Sequence, residues 1–185
     1  MMKKLHLGCG KRFLPDHIHI DYSDYPHIDY KLPVYPLSFI EDDSIDEIYS
    51  SHTLEYFDFN QVGNVLKDWY RCLKANGILR LSVPDFNKLL RVYANKDDDI
   101  ESIIGPLFGR WDTGDNNIIY HKTVYNRKKI ISVLSDVGFT NITEWDPITH
   151  FGIGKGSFDD YSKAFYPHMD FAKGFPISLN ILATK

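Results

Sequence analysis

Cysteine is scarce in this chain: Cys9 and Cys72 are the only two, too few for a disulfide framework or a zinc ribbon. A run of about 20 apolar residues that would cross a membrane is absent. The stretch between Lys4 and the turn at Gly8 is far shorter than the roughly 7–15 apolar residues of a signal core. The reducing cytoplasm is therefore the expected location. Positive charge is not in excess either: 21 Lys and Arg against 25 Asp and Glu leave a net charge of −4. A nucleic-acid partner is thus not favoured, because a phosphate-backbone footprint calls for a basic surface. Internal repeats and low-complexity segments are also lacking. What remains is an ordinary globular balance over 185 residues, 43% hydrophobic and 25% charged, enough apolar mass for one domain spanning 1–185. Aromatic residues reach 15% and gather in the C-terminal third.

Alternation of polar and apolar residues predicts strands at Leu5–Gly8, His17–Asp21 and Ile45–Ser50. Gly77–Val83, closed by Pro84, predicts a fourth, and FTNITEW and ISLNILAT two more. Between the third and fourth lies the clearest helix, with Val62, Val65, Leu66, Trp69, Tyr70 and Leu73 on one face. Asp58 and Gln61 have the spacing of a capping box at its start, and Asn76-Gly77 is a stop signal. Further helices are expected after Asp85 and from Asn126 to Gly138. Strands alternating with helices indicate a mostly parallel sheet covered on both faces. The aromatic stretch 150–176 is too long for a hairpin turn and reads as a lid, an oligomer contact or a partner surface.

The stretch LHLGCGKRFLPDHIHID places a glycine turn after one strand and Asp21 at the end of the next. Gly8 and Gly10 permit a sharp turn and close approach of a ligand, and Asp21 is placed to accept hydrogen bonds from ribose hydroxyls. Phe13 stands where the dinucleotide fingerprint has its third glycine, and no G-K-[ST] phosphate loop occurs. A nucleoside ligand without phosphates suits this loop best. His17 and His19 share a strand face, but no cysteine or carboxylate cluster completes a metal set, and no metal is expected.

Four motifs in order, LHLGCG, HID, EDDSIDEIYSSHTLEYF and VLKDWYRCLKANGILRLSVPD, resemble the class I S-adenosylmethionine-dependent methyltransferases. The nearest likeness is to a small bacterial branch associated with polysaccharide and cell-surface gene clusters. The resemblance covers about residues 3–90, and 119–145 more loosely through HKTVYNRKKIISVLSDVGF. It implies a Rossmann-like, doubly wound α/β fold with a mostly parallel seven-stranded sheet, an antiparallel last strand and a shortened first helix. It implies S-adenosyl-L-methionine as cofactor and methyl transfer to O or N of a small-molecule or sugar acceptor. Gly8, Cys9 and Gly10 would line the methionine part, Asp21 would hold the ribose, and Tyr22 would lie beside the adenine. Ser50, Ser51 and His52 would approach from the other side, and Asp46 matches the acid before that strand.

The chain departs from the family in three places. Where an acid contacts adenine, it has Lys31 or Leu32, so that recognition falls to backbone groups or to Asp29 shifted in register. Tyr56 replaces the second histidine of an H-x-L-E-H motif. The helix after the glycine turn is nearly deleted, leaving a sheet face to be covered by 150–176 or by a second subunit. For the acceptor, the loop before the last helix brings Trp111, Asp112, Lys122 and Tyr125 near His121, which is the leading base or acceptor-binding residue. Asp85 reads either as a helix cap or as a site residue. His52 and Glu55, three apart, read as a cofactor-packing residue with a cap or salt-bridge partner, or as catalytic groups. Two other classes remain open: a catalytically inactive binding or assembly module, and a nucleotide-sugar or NAD enzyme.

Overall fold

The computed structural model describes residues 2–113, 117–154, 156–168 and 170–185. Parts of the expected acceptor loop (114–116) and of the C-terminal insertion (155 and 169) thus lie outside the described residues. One six-stranded sheet organises the chain, in the order β2-β1-β3-β4-β10-β7. Its strands are β1 (Lys4–Leu7), β2 (Ile18–Ile20), β3 (Ile45–Ser51), β4 (Leu73–Pro84), β7 (Thr140–Glu144) and β10 (Ser178–Thr184). β1 pairs parallel with β2 and β3, and β3 parallel with β4, whereas β10 runs antiparallel to both β4 and β7. This is the expected mostly parallel, Rossmann-like sheet with an antiparallel last strand. The strand count differs from the seven expected: beyond β2 the edge is reduced to a single parallel bridge between Ile20 and Tyr30.

The two-residue period of the strands divides the sheet into unlike faces. Leu5, Leu7, Ile48, Leu79, Leu81, Leu179 and Ile181 point one way and are buried in the main core. Helices α1 (Val62–Cys72) and α4 (Arg127–Val137) close this side through Val65, Leu66, Trp69, Ile130 and Leu134. The registers His6–His19, His6–Tyr49, Tyr49–Arg80 and Ser82–Asn180 place polar and aromatic residues on the other face.

Residues 8–17, between β1 and β2, are loop throughout, so the deletion of the first helix is real. The polar face is closed from within the chain, by the segment that follows β7. Trp145, Phe151 and Phe158 pack their rings around Tyr49, with centroids 6.1, 5.5 and 6.1 Å away, and Phe158 also meets His6. The Tyr49 hydroxyl donates to Asp160, and Asn180 donates to the Ser162 carbonyl at 3.0 Å. His6, His19 and Tyr49 are all buried beneath this segment, as expected for a face covered by 150–176.

Above the carboxyl ends of the strands, α2 (Phe86–Ala94) and α3 (Glu101–Phe108) pack together. Leu89, Val92 and Ile103 form a second small core with Ala164 and Ile177. The remaining elements are β5 (Trp111–Asp112), β6 (Ile118–Ile119), α5 (Pro147–Phe151), β8 (Phe165–Tyr166) and β9 (Phe175–Pro176).

Capping follows the sequence at two helices. Asp85 accepts the Asn87 N–H at 3.0 Å to start α2. Asn126 accepts the Lys129 N–H at 2.9 Å to start α4, which stops at Gly138 in a left-handed turn. Helix α1 is shorter at both ends than its pattern suggests. The Asp58 carboxylate accepts from Asn60 instead of capping Gln61's turn, and α1 begins at Val62. At the other end Leu73 leaves the helix to pair with Ile45, while Asp43 and Ser44 take the last free carbonyls, those of Arg71 and Cys72, at 3.0 Å each. Long-range strand pairing thus ends the helix one turn before Asn76-Gly77.

Two outcomes test this architecture. Tyr49→Phe removes the donor to buried Asp160 and is expected to cost about 1–3 kcal/mol, read as a lowered urea midpoint. Burial also holds His6, His17, His19, His52 and His121 below their usual titration range. Below about pH 6.5 the unfolded chain then binds protons that the folded chain refuses. Their contribution is intact above that pH and is lost as pH falls, so the urea midpoint is expected to drop between pH 7 and pH 5.

Candidate functional site

The turn after β1 is built around a left-handed backbone. Gly8 has φ +69°, and a Cβ placed on it would lie 2.1 Å from the Thr53 hydroxyl oxygen, so no other residue fits there. Its N–H donates to the Ile20 carbonyl at 2.9 Å, which ties the turn to the end of β2. From β2 the chain enters Asp21, whose carboxylate accepts the Gly10 N–H at 2.8 Å and the Ser23 N–H at 2.7 Å. Turn and acid are therefore one hydrogen-bonded unit, and each carboxylate oxygen retains a lone pair for a ligand. Cys9 inside the turn is buried, and desolvation pushes its thiol up to about 12, so it is packing and not a nucleophile.

This unit opens on a cavity of about 1180 Å³ at the carboxyl ends of the parallel strands. A pocket for one drug-sized ligand takes about 300–1,000 Å³, so the space is large enough for more than one small molecule. Gly8, Cys9, Gly10, Asp21, Tyr22, Ser51, His52, Trp111 and His121, all anticipated from sequence, line this one cavity. Trp111 sits directly over the glycine turn: a Cβ on Gly10 would stand 3.5 Å from its ring.

The other anticipated residues lie outside the lining, each for a local reason. Ser50 faces the apolar side, opposite Ser51 in the pleat, and its hydroxyl donates to the Leu7 carbonyl at 3.2 Å. Asp85 is committed to capping α2, with the Lys88 ammonium 3.9 Å away. Asp112 alternates with Trp111 in β5 and is turned outward. The Lys122 side chain is exposed, and Tyr125 is buried in the main core. Asp29 is spent on His19, accepting its N–H at 2.8 Å, while Lys31 pairs with Asp24 at 3.2 Å. Neither lines the cavity, whose wall there is Pro33, Val34 and Tyr35. Asp46 accepts from the Lys3 N–H and from Lys74 at the start of β3, a structural role. Among the described residues, no group of three or more His, Cys, Asp or Glu is arranged to hold a metal ion.

The sequence did not single out Arg12, and it read Glu55 only as a neighbour of His52 three residues away. The Arg12 guanidinium lies 4.7 Å over the Tyr161 ring, joining the loop after the glycine turn to the C-terminal segment. Glu55 is wholly buried, 3.4 Å from His52 Nδ1 and 3.7 Å from His121 Nε2. Burial pushes its carboxyl up to about 8 and pulls His52 down to about 3. The available signal was the run Leu54-Glu55-Tyr56-Phe57: a carboxylate amid large apolar residues is a candidate for burial.

A glycine turn and a carboxylate at adjacent strand ends, opening on one cavity, mark the strand-end site of a Rossmann-like domain. Residues 5–81 match the family described as "Methyltransferase domain". No curated protein matches the sequence.

Among solved structures, an S-adenosylmethionine-dependent methyltransferase from Archaeoglobus fulgidus is 14% identical, with a TM-score of 0.58 over 100% of this chain and 86% of that one. A putative S-adenosylmethionine-dependent methyltransferase from Listeria monocytogenes is 19% identical, with a TM-score of 0.53 over 100% and 90%. The 1,6-didemethyltoxoflavin-N1-methyltransferase of Burkholderia thailandensis, solved with its acceptor and S-adenosylhomocysteine, is 13% identical, with a TM-score of 0.55 over 98% and 70%. These likenesses are of fold. The family match spans the glycine turn, Asp21 and most of β4, which is less than half of the chain.

Gly8→Ala tests the turn. Left-handed strain and the clash with Thr53 are expected to cost about 1–3 kcal/mol, read as a lower melting temperature, and to abolish cofactor binding by calorimetry.

Proposed function

We propose that the protein moves a methyl group from S-adenosylmethionine to a small-molecule acceptor, at O or N. The observation that carries this reading is the continuity of the glycine turn and Asp21 with a cavity that admits two ligands. When bound, S-adenosylmethionine supplies a methyl group activated on sulfur. Gly8, Cys9 and Gly10 line its amino-acid end, Asp21 accepts from its ribose hydroxyls, and Tyr22 with Pro33–Tyr35 flanks its base. The chain's remaining tasks are to align the acceptor, exclude water and receive a proton.

Trp111 and Tyr161 wall the acceptor space, and His121, neutral because of its burial, stands in that wall as the base. The Burkholderia structure of similar fold is described with bound 1,6-didemethyltoxoflavin, which favours a small molecule here. A sugar acceptor rests on the sequence resemblance alone, and an inactive binding module has no structural feature in its favour. No helix among the described residues is long and apolar enough to cross a membrane.

Calorimetry with S-adenosylmethionine and S-adenosylhomocysteine, followed by methyl release across an acceptor panel, tests the reading. Binding of both is expected for the native chain, with Asp21→Asn weakening it by about 10- to 100-fold through loss of charged hydrogen bonds. His121→Ala is expected to leave affinity within a few-fold and to cut turnover by at least about 100-fold. Binding of NAD alone, or binding without methyl release to any acceptor, would overturn it.

A further inference from the structure

His52 and His121 each have one ring nitrogen committed elsewhere, and the commitment determines the tautomer. His52 Nε2 is 2.7 Å from the Ser178 hydroxyl, and that hydroxyl already donates its hydrogen to the Tyr161 carbonyl. Nε2 must therefore be the donor, which leaves a lone pair on Nδ1. His121 Nδ1 is 3.2 Å from the Leu107 carbonyl, which can only accept. Nδ1 is again the donor, and the lone pair falls on Nε2. Both of these nitrogens lie beside the same oxygen, Glu55 Oε1, at 3.4 and 3.7 Å.

An ionised carboxylate there would stand beside two imidazole lone pairs with no hydrogen between them, leaving its own backbone N–H and the unpartnered Tyr125 hydroxyl nearby as its stabilising donors. Neither oxygen of Glu55 has a hydrogen-bond partner among the described residues. The groups around it supply no compensating cation in contact: its neighbours are the two imidazoles with the phenols of Tyr56 and Tyr125, and Arg12 acts on His52 only at longer range.

We propose that Glu55 is a positioning residue that sits behind the cavity wall as a neutral acid and lends one proton to the lone pairs of His52 and His121. Desolvation agrees in direction, raising Glu55 to about 8 and lowering both histidines. The catalytic consequence rests on the reading above. As pH rises through the Glu55 titration, its proton goes to solvent and a carboxylate faces His121. The His121 Nε2 lone pair, held by the Glu55 proton below that titration, is released above it, and an imidazolium formed there is stabilised by the new charge beside it. Methyl transfer to a hydroxyl is thus gated by an acid that never touches the acceptor.

The test needs no acceptor. Carbon-13 and long-range nitrogen-15 NMR of the ligand-free full chain, labelled at Glu and His, read the carboxyl and both imidazoles. The expected result is one protonated glutamate at pH 6.5, titrating near 8 instead of the usual value of about 4.3. His52 should carry its hydrogen on Nε2 and His121 on Nδ1. Glu55→Gln, which keeps a donor but cannot ionise, should lose that titration, keep both tautomers and bind S-adenosylmethionine within about two-fold of the native chain. An ionised Glu55 at pH 6.5, or hydrogen on His52 Nδ1, in the native chain would overturn the inference however the variant folds. Failure of the native chain to bind S-adenosylmethionine, with the titration near 8 intact, would count against the methyltransferase reading and leave the buried acid standing.

Discussion

Alternate residues of a strand point to opposite sides, and everything distinctive about this molecule follows from how that rule sorts its side chains. One face of the sheet is aliphatic and takes helices α1 and α4. The other carries His6, His19, Tyr49, Arg80, Ser82 and Asn180, groups that a purely apolar helix could cover only by leaving hydrogen bonds unmade. The chain solves this with the loop-rich segment after β7. Its backbone carbonyls and short polar side chains pair with the face: Ser162 receives Asn180, and Asp160 receives Tyr49. Aromatic rings fill the space between. Missing helix, polar face and aromatic insertion are three aspects of one arrangement.

The same segment reaches the carboxyl ends of the strands. Tyr161 stacks under Arg12, which follows the glycine turn directly, and Ser178 orients His52. The glycine-turn end and the His52 end of the cavity are thus held by contacts adjoining those that cover the sheet. The histidines of the wall, His52 and His121, are held below their usual titration range by their burial.

Much of this was legible in the residues. All six strands stand where alternation places them, because a two-residue period is a local property. Helix α4 begins and ends at its sequence signals, since Asn126 and Gly138 act within a turn. Helix α1 does not, because its end is decided by Leu73 pairing with Ile45, a contact between segments far apart in sequence. The site divides in the same way. The glycine turn and Asp21 are short-range features and fell into place. Ser50 and Asp112 were assigned with their neighbours, although the pleat sends adjacent residues to opposite sides. Glu55 acquires its character only when His121 arrives from beyond α3, and no local pattern encodes that meeting.

The dual use of the C-terminal segment has an evolutionary implication. In an enzyme whose specificity loops hang free of the scaffold, acceptor preference can drift while the frame stays intact. Here Tyr161 and Asp160 belong at once to the cavity wall and to the cover of the sheet. Changes that retune what the pocket admits will register in folding as well, and new specificities in this lineage are expected to arise together with compensating changes around Tyr49.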